Sequence, residues 1–155
     1  MKEKEFLGKG MKFPPQINKA TGRFETISAE ESVKQAIYLI LMTQVSERPL
    51  RPDFGSSLMG YTFMDINANS IGWVTRSIKE QITRQEPRVS DVDVITDATS
   101  RSGVVLFDIR YRVIATNSEG NLVFPFYTGG NTAEEEEKEK ESIAYEPQSV
   151  EEIGY

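Results

Sequence analysis

The stretch VVLFDIRYRVIA, from Val104 to Ala115, sets Val105, Phe107, Ile109, Tyr111 and Val113 against Asp108, Arg110 and Arg112. A strict period of two has one simple physical solution. Only an extended strand sends alternate side chains to opposite faces, one into a core and the other into water. A helix would scatter the same apolar set around its circumference. The pattern recurs just upstream in VSDVDVI, where Val92 and Val94 alternate with Asp91 and Asp93. Downstream, NSEG at Asn117–Gly120 supplies turn residues and NLVFPFY at Asn121–Tyr127 returns as a third strand. Pro125 lies inside that last strand, and a proline cannot donate to a ladder, so the strand belongs at a sheet edge. Its inner face would be Leu122, Phe124 and Phe126.

A three-stranded antiparallel meander needs something to cover its apolar face, and the preceding residues provide two helices. Ser28 and Glu31 have the spacing of a capping box, and Val33, Ala36, Ile37, Ile40, Leu41 and Val45 follow at helical intervals. A helix is therefore expected over Ala29–Val45. Tyr38, Leu39 and Met42 fall on its other sides, which makes it central in the domain or covered by a partner. A second helix is expected over Ser70–Gln85, capped by Asn69 or Ser70, with Ile71, Val74, Ile78 and Ile82 as its apolar stripe. Before the helices, Pro14–Pro15 favours extended backbone, and NKATG at Asn18–Gly22 joins two short extended pieces. The fold class is α+β: two helices, then a three-stranded antiparallel β-meander, then an acidic C-terminal tail.

Charge separates the tail from the rest. Of the 155 residues, 133–155 hold 9 acids and 2 bases, a net of −7, whereas residues 1–132 hold 15 acids and 16 bases, a net of +1. Two parts follow, an α+β domain over 1–132 and an acidic, flexible tail over 133–155, because clustered like charge with few large apolar groups buries too little surface to offset ordering entropy. Such a tail is a solubilising appendage or, since Ile143, Tyr145, Val150, Ile153 and Tyr155 are anchors that pure solvation does not need, a docking arm. A nearly neutral body beside an acidic tail disfavours nucleic acid as a partner, since phosphate binding needs concentrated basic charge. No membrane insertion is expected either: the longest apolar run, Ala36–Met42, is far short of the roughly 20 residues that a span requires.

The chain has no cysteine and no histidine, which removes thiolate chemistry, disulfides and the commonest general base and metal ligand together. No cofactor is expected. GKG near the start lacks the remainder of a phosphate loop. Asp91 and Asp93 bring to mind the paired carboxylates of a glycosidase, but strand alternation alone accounts for them, as for any solvated sheet face. SERPLRPDFGSSL at Ser46–Leu58 holds acids and arginines on an extended segment with no nucleophile. It is either a rigid loop whose charges pair internally or a preorganised contact surface, in which Arg48 and Arg51 grip carboxylates and Phe54 fills a pocket. In ITRQEPRVSDVDVI, Pro87 ends the second helix and sets Glu86 and Arg88 at a rigid corner. Those charges either project toward a partner or pair within their own domain.

Taken in order, FLGKGMKFPP at Phe6–Pro15, ERPLRPDFGSSL at Glu47–Leu58 and EPRV at Glu86–Val89 before a β-meander resemble the sheath-initiator family of contractile tails. Its members include the baseplate wedge protein of T-even-like phages, sometimes labelled lysozyme-like, with relatives in type VI secretion, phage-tail-like bacteriocins and extracellular injection systems. The resemblance spans roughly Phe6 to Tyr127. It implies a structural, non-enzymatic baseplate component, present in multiple copies, that is assembled in the cytoplasm and ends in a virion tail or injection particle. Its implied partners are wedge proteins, sheath protein and inner tube or hub proteins. Glu86, Pro87 and Arg88 would contact the wedge bundle, with Arg48, Arg51 and Phe54 in the same role. Asn121, Leu122, Val123, Phe124, Pro125, Phe126 and Tyr127 would form the strand that templates the first sheath ring by exchange. A small peptidoglycan-cleaving enzyme is the competing reading; it needs two carboxylates across a groove, with Glu47, Asp53, Asp91 and Asp93 as candidates. The acidic tail is outside the family pattern, and by repelling other copies of itself it would delay self-association at the strand edge.

Overall fold

The computed structural model describes residues 5–65, 67–101 and 103–128, so the acidic segment expected to be flexible lies outside the described residues. A two-stranded sheet pairs β1 (Lys9–Met11) with β2 (Thr26–Ser28); α1 (Ala29–Met42) and α2 (Ala68–Gln85) follow, and β3 (Val89–Arg101), β4 (Val104–Val113) and β5 (Ser118–Tyr127) form an antiparallel sheet in the order β3-β4-β5. The α+β meander expected from alternation is present, with β5 at an edge and Pro125 opposite Leu106.

One face of the sheet carries the core. Val105, Phe107, Ile109, Tyr111 and Val113 of β4 are all buried, together with Leu122, Phe124 and Phe126 of β5. Against them α1 lays Val33, Ile37 and Leu41, and α2 lays Val74, Ile78 and Ile82. The Tyr38 and Phe124 rings meet at 6.2 Å with a 59° tilt, which ties α1 to β5.

Local chemistry moves several boundaries. α1 stops at Met42 and not Val45, because Thr43 is extended, its Oγ1 donates to the Leu39 carbonyl at 2.7 Å, and its own carbonyl accepts from Ser56 N at 2.8 Å. The chain leaves the helix to pair with a distant segment. The expected capping box at Ser28 does not form; Ser28 holds the N-cap position without a side-chain bond, and Glu30 and Glu31 supply the acidic first turn that suits the helix dipole. α2 begins two residues earlier than expected. Asn67 is the cap, its Oδ1 accepting from Asn69 N at 3.0 Å and Ser70 N at 2.9 Å, while Ser70 Oγ accepts from Asn67 N at 2.9 Å. That is a capping box with serine at its third position.

The last turn lies at 114–117 and not 117–120, with Asn117 at φ 50, a left-handed conformation that asparagine tolerates. Gly120 is therefore inside β5, directly across from Tyr111. A Cβ on Gly120 would sit 2.7 Å from the Tyr111 ring, so the glycine is what lets that ring lie flat across the strand. β3 extends six residues past the expected Ile95, and its pairing with β4 is irregular between Ser90 and Asp93, where Asp91 takes φ 50.

Candidate functional site

The Glu86–Pro87–Arg88 corner is an internal ion pair. Pro87 cannot continue α2, and Glu86 leaves helical geometry at φ −115, ψ 91 while its N–H still donates to the Ile82 carbonyl at 2.9 Å. From there the Arg88 fork closes on the carboxylate: Nε donates to Glu86 Oε1 at 2.7 Å and Nη2 to Oε2 at 2.6 Å. Glu86 is 4% exposed, so its charge does not project. The carboxylate holds the Arg88 pKa above its ordinary value, against the opposing effect of burial.

Arg88 also reaches across the chain. Its Nη1 donates to the Leu7 carbonyl at 2.7 Å and to Ser32 Oγ at 3.4 Å, and its backbone carbonyl accepts from Ile114 N at 3.0 Å. One residue thus joins the N-terminal segment, the start of α1, the end of α2 and the β4–β5 turn. Nearby, Ser118 Oγ donates to Glu30 Oε1 at 2.8 Å. The Tyr111 hydroxyl is pushed up to about 12, first by burial and then by the charges of Glu30 and Glu86.

The second cluster stands on the loop between α1 and α2. Arg48 lies 4.3 Å and Arg51 5.5 Å from the centre of the Phe54 ring, with both arginines exposed and the ring half-buried. Three features hold this loop. Gly55 sits at φ 112 against Thr43, where a Cβ would run into the Thr43 carbonyl. Gln85 clasps Gly55, Oε1 accepting from its N–H at 2.8 Å and Nε2 donating to its carbonyl at 2.7 Å. Ser56 Oγ donates to the Leu41 carbonyl at 2.9 Å. The loop is therefore docked on the last residue of α2, one position before Glu86. Gln85, Leu7 and Ser32 were invisible as site residues in the sequence, because a glutamine at a helix end or a carbonyl far along the chain has no local signature.

Asn121–Tyr127 runs along the β5 edge with Leu122, Phe124 and Phe126 buried and Asn121 and Val123 exposed. Two of the four carboxylates weighed for hydrolysis are engaged within the domain. Glu47 accepts from Gln44 N at 2.8 Å, and Asp91 pairs with Arg112 at 3.3 Å. An open groove of about 630 Å³ between α2 and β3 is lined by Ile71, Gly72, Thr75, Arg76, Lys79 and Asp93, among others. Glu47, Asp53 and Asp91 are not on it. Among the described residues, no helix is long and apolar enough to cross a membrane.

Comparison with curated proteins finds no match. Among solved structures, a Geobacter sulfurreducens protein provisionally named a tail lysozyme is 37% identical over 68% of this chain and 96% of its own, with a TM-score of 0.62. A chain of the anti-feeding prophage baseplate is 22% identical over 86% of this chain and 96% of its own, with a TM-score of 0.55, which speaks to the fold. A chain of the postcontracted pyocin R2 baseplate aligns more loosely, 21% identical over 74% of this chain and 99% of its own at a TM-score of 0.42. The family model described as baseplate wedge protein gp25 matches residues 27–118, more than half of the sequence and a span that holds both helices, the Arg48–Phe54 loop and the Glu86–Arg88 corner. On that match, and on the identity to the Geobacter protein, the chain belongs to the gp25 family of baseplate wedge proteins.

Proposed function

We propose that this chain is a structural subunit that joins the baseplate wedge to the sheath of a contractile tail or injection particle, and that β5 templates sheath polymerisation by pairing with a sheath strand. The observation that carries the reading is the placement of β5. Ten residues long, it has β4 on one side and the edge of the sheet on the other, and its inner face is already buried. A visiting strand would gain main-chain hydrogen bonds without disturbing the core, and Pro125, lacking an N–H, narrows the registers available to it. The wedge side falls to the Arg48, Arg51 and Phe54 cluster, which Gln85 holds beside the corner of Glu86, Pro87 and Arg88, whose internal ion pair fixes the geometry of that end of α2. Inner tube or hub proteins complete the set of partners, and assembly takes place in the cytoplasm in several copies around the baseplate.

No catalytic role is assigned. The lysozyme reading rests on the provisional name of one relative, and the four candidate carboxylates are not gathered around a groove. The deciding experiment is electron microscopy of the sheath–baseplate junction with this chain located in density. Main-chain pairing between Ser118–Tyr127 and a sheath strand is expected; a sheath that contacts the chain elsewhere, with β5 facing solvent, rules the role out. Deleting Asn121–Tyr127 is a poor substitute, since it also strips Leu122, Phe124 and Phe126 from the core. Peptidoglycan turnover by the purified chain that is lost on Glu47→Gln or Asp91→Asn would establish the enzyme instead.

A further inference from the structure

Two segments lie outside the family match, the N-terminal residues before Ile27 and those after Ser118, which include the acidic tail. The first builds an arm on α1. β1 and β2 pair as Lys9–Ser28, Gly10–Ile27 and Met11–Thr26, and Ile17 and Phe24 bridge further out, closed by a turn in which Asn18 O accepts from Gly22 N at 2.8 Å. Gln35 of α1 fixes the base, its Oε1 accepting from Phe13 N at 2.8 Å and its Nε2 donating to the Met11 carbonyl at 2.9 Å.

The arm is unusually apolar for a surface element. Ile17 is 62% and Phe24 58% exposed although they face each other across the bridge, and Met11 and Phe13 are about half exposed nearby. Contiguous exposed apolar surface marks a place meant to be covered. The arm is also cationic. Residues 9–28 hold Lys9, Lys12, Lys19 and Arg23 against Glu25, a net of +3. Lys12 is engaged with Glu25 at 3.1 Å, and among the described residues Lys9, Lys19 and Arg23 have no side-chain partner.

The tail has the opposite composition, a net of −7 with Ile143, Tyr145, Val150, Ile153 and Tyr155 spaced among its acids. Its reach is ample. The last described residue, Thr128, donates to the Gly103 carbonyl at the end of the sheet remote from the arm, so a tail that docks must travel the length of β5. Ten strand residues span about 33 Å, and the 27 residues after Thr128 extend to roughly 90 Å, so the distance is covered with residues to spare. Tethering raises the effective concentration of such a segment to the millimolar range, so modest contacts suffice.

We propose that the acidic tail of this chain docks in cis on its own N-terminal arm, its acids around Lys9, Lys19 and Arg23 and its apolar anchors over Ile17 and Phe24. The arm is then a partner-binding surface that the free subunit keeps covered until a partner displaces the tail. Unlike the strand-pairing role of β5, this rests on the N-terminal arm and the acidic tail.

Zero-length carbodiimide cross-linking of the full chain, with the products mapped by mass spectrometry, tests it. Tail glutamates between Glu134 and Glu152 should couple to Lys9 and Lys19 within a single molecule at low salt, at least fivefold more than to Lys34 or Lys79, and the yield should collapse in 0.5 M salt. The paired variant Lys19→Glu/Arg23→Glu alters only exposed side chains; it should keep the native circular dichroism spectrum and lose at least fivefold of the Lys9 cross-link. Equal coupling to Lys79, coupling found only between two molecules, or an unchanged Lys9 yield in the folded variant would each overturn the proposal.

Discussion

Arginine is used in two opposed ways at the end of α2. At the Glu86–Arg88 corner the guanidinium is partly buried, and its Nε, Nη1 and Nη2 all donate to groups of this same domain. On the neighbouring loop, Arg48 and Arg51 are exposed and share one aromatic ring, with the backbone beneath them held by Gln85. Residue type is the same and the distance along the fold is short, yet one arrangement consumes its donors and the other leaves most of them free for a partner. The difference teaches that charge at a rigid corner is not by itself a binding surface. What decides is whether the carboxylate is buried with it.

The largest effect expected is at the corner. Arg88→Ala leaves the Glu86 carboxylate buried without its partner and orphans the Leu7 carbonyl, and breaking such a pair costs about 3–5 kcal/mol. Urea denaturation should show a lower midpoint with an unchanged slope. Arg88→Lys should recover only part of the loss, since an ammonium cannot form the two-pronged contact. If Arg88→Ala unfolds at the wild-type midpoint, the corner does not hold the domain and its role belongs to assembly alone.

Next comes the loop's anchor. Gly55→Ala places a Cβ into the Thr43 carbonyl at a φ of 112, so the Thr43–Ser56 pairing must give way, a loss on the order of 3 kcal/mol. Loss of stability with an intact Arg88 network would show that the two arginine regions are held independently. A wild-type melting curve for Gly55→Ala would mean that the loop can move off Thr43 freely.

A smaller effect ties the corner to alkaline pH. Tyr111 titrates near 12 in the folded chain against an ordinary value of 10.0. The folded state therefore keeps its phenol proton where the unfolded state has lost it, so stability is full below pH 10 and falls as pH rises toward 12, by about 2–3 kcal/mol for a shift of this size. The difference between wild type and Tyr111→Phe isolates that slope from the titration of lysines. Parallel stability profiles for the two proteins across pH 10–12 would remove Tyr111 from the account.

The legible parts of this molecule were those governed by a repeating pattern. Alternation placed β3, β4 and the inner face of β5, and Pro125 placed β5 at an edge, since both signals act within a few residues. The end of α1 is set by a tertiary partner, Ser56 drawing Thr43 out of the helix, whereas the start of α2 turns on which of several neighbouring polar residues caps it, and Asn67 stands ahead of the candidates Asn69 and Ser70. Glu86 and Arg88 were legible as a corner, and internal pairing was one of its two readings. The choice between them rests on the Leu7 carbonyl, 81 residues away along the chain, to which no local pattern points.

The smallest effect on the monomer, and the sharpest separation of the two regions, is expected at the exposed arginines. In Arg51→Ala the Phe54 ring loses the more distant of its two cations, at 5.5 Å, while Arg48 remains at 4.3 Å. An exposed cation–π contact contributes about 0.5–1 kcal/mol, and with one cation retained the stability change should be at the low end of that range. Binding should respond differently. If the loop presents a contact surface to the wedge, the Arg51 donors meet a partner only on assembly, and their removal should lower wedge association severalfold while the urea midpoint scarcely moves. The double variant Arg48→Ala/Arg51→Ala extends the comparison, because it removes both cations from Phe54 and leaves the Gln85–Gly55 clasp in place. Pull-down of wedge components against wild type, paired with a urea titration of the same preparations, gives both readouts. Unchanged association with an unchanged midpoint would mark the loop as a bystander, and a midpoint shift as large as that of Arg88→Ala would erase the distinction between the two arginine regions.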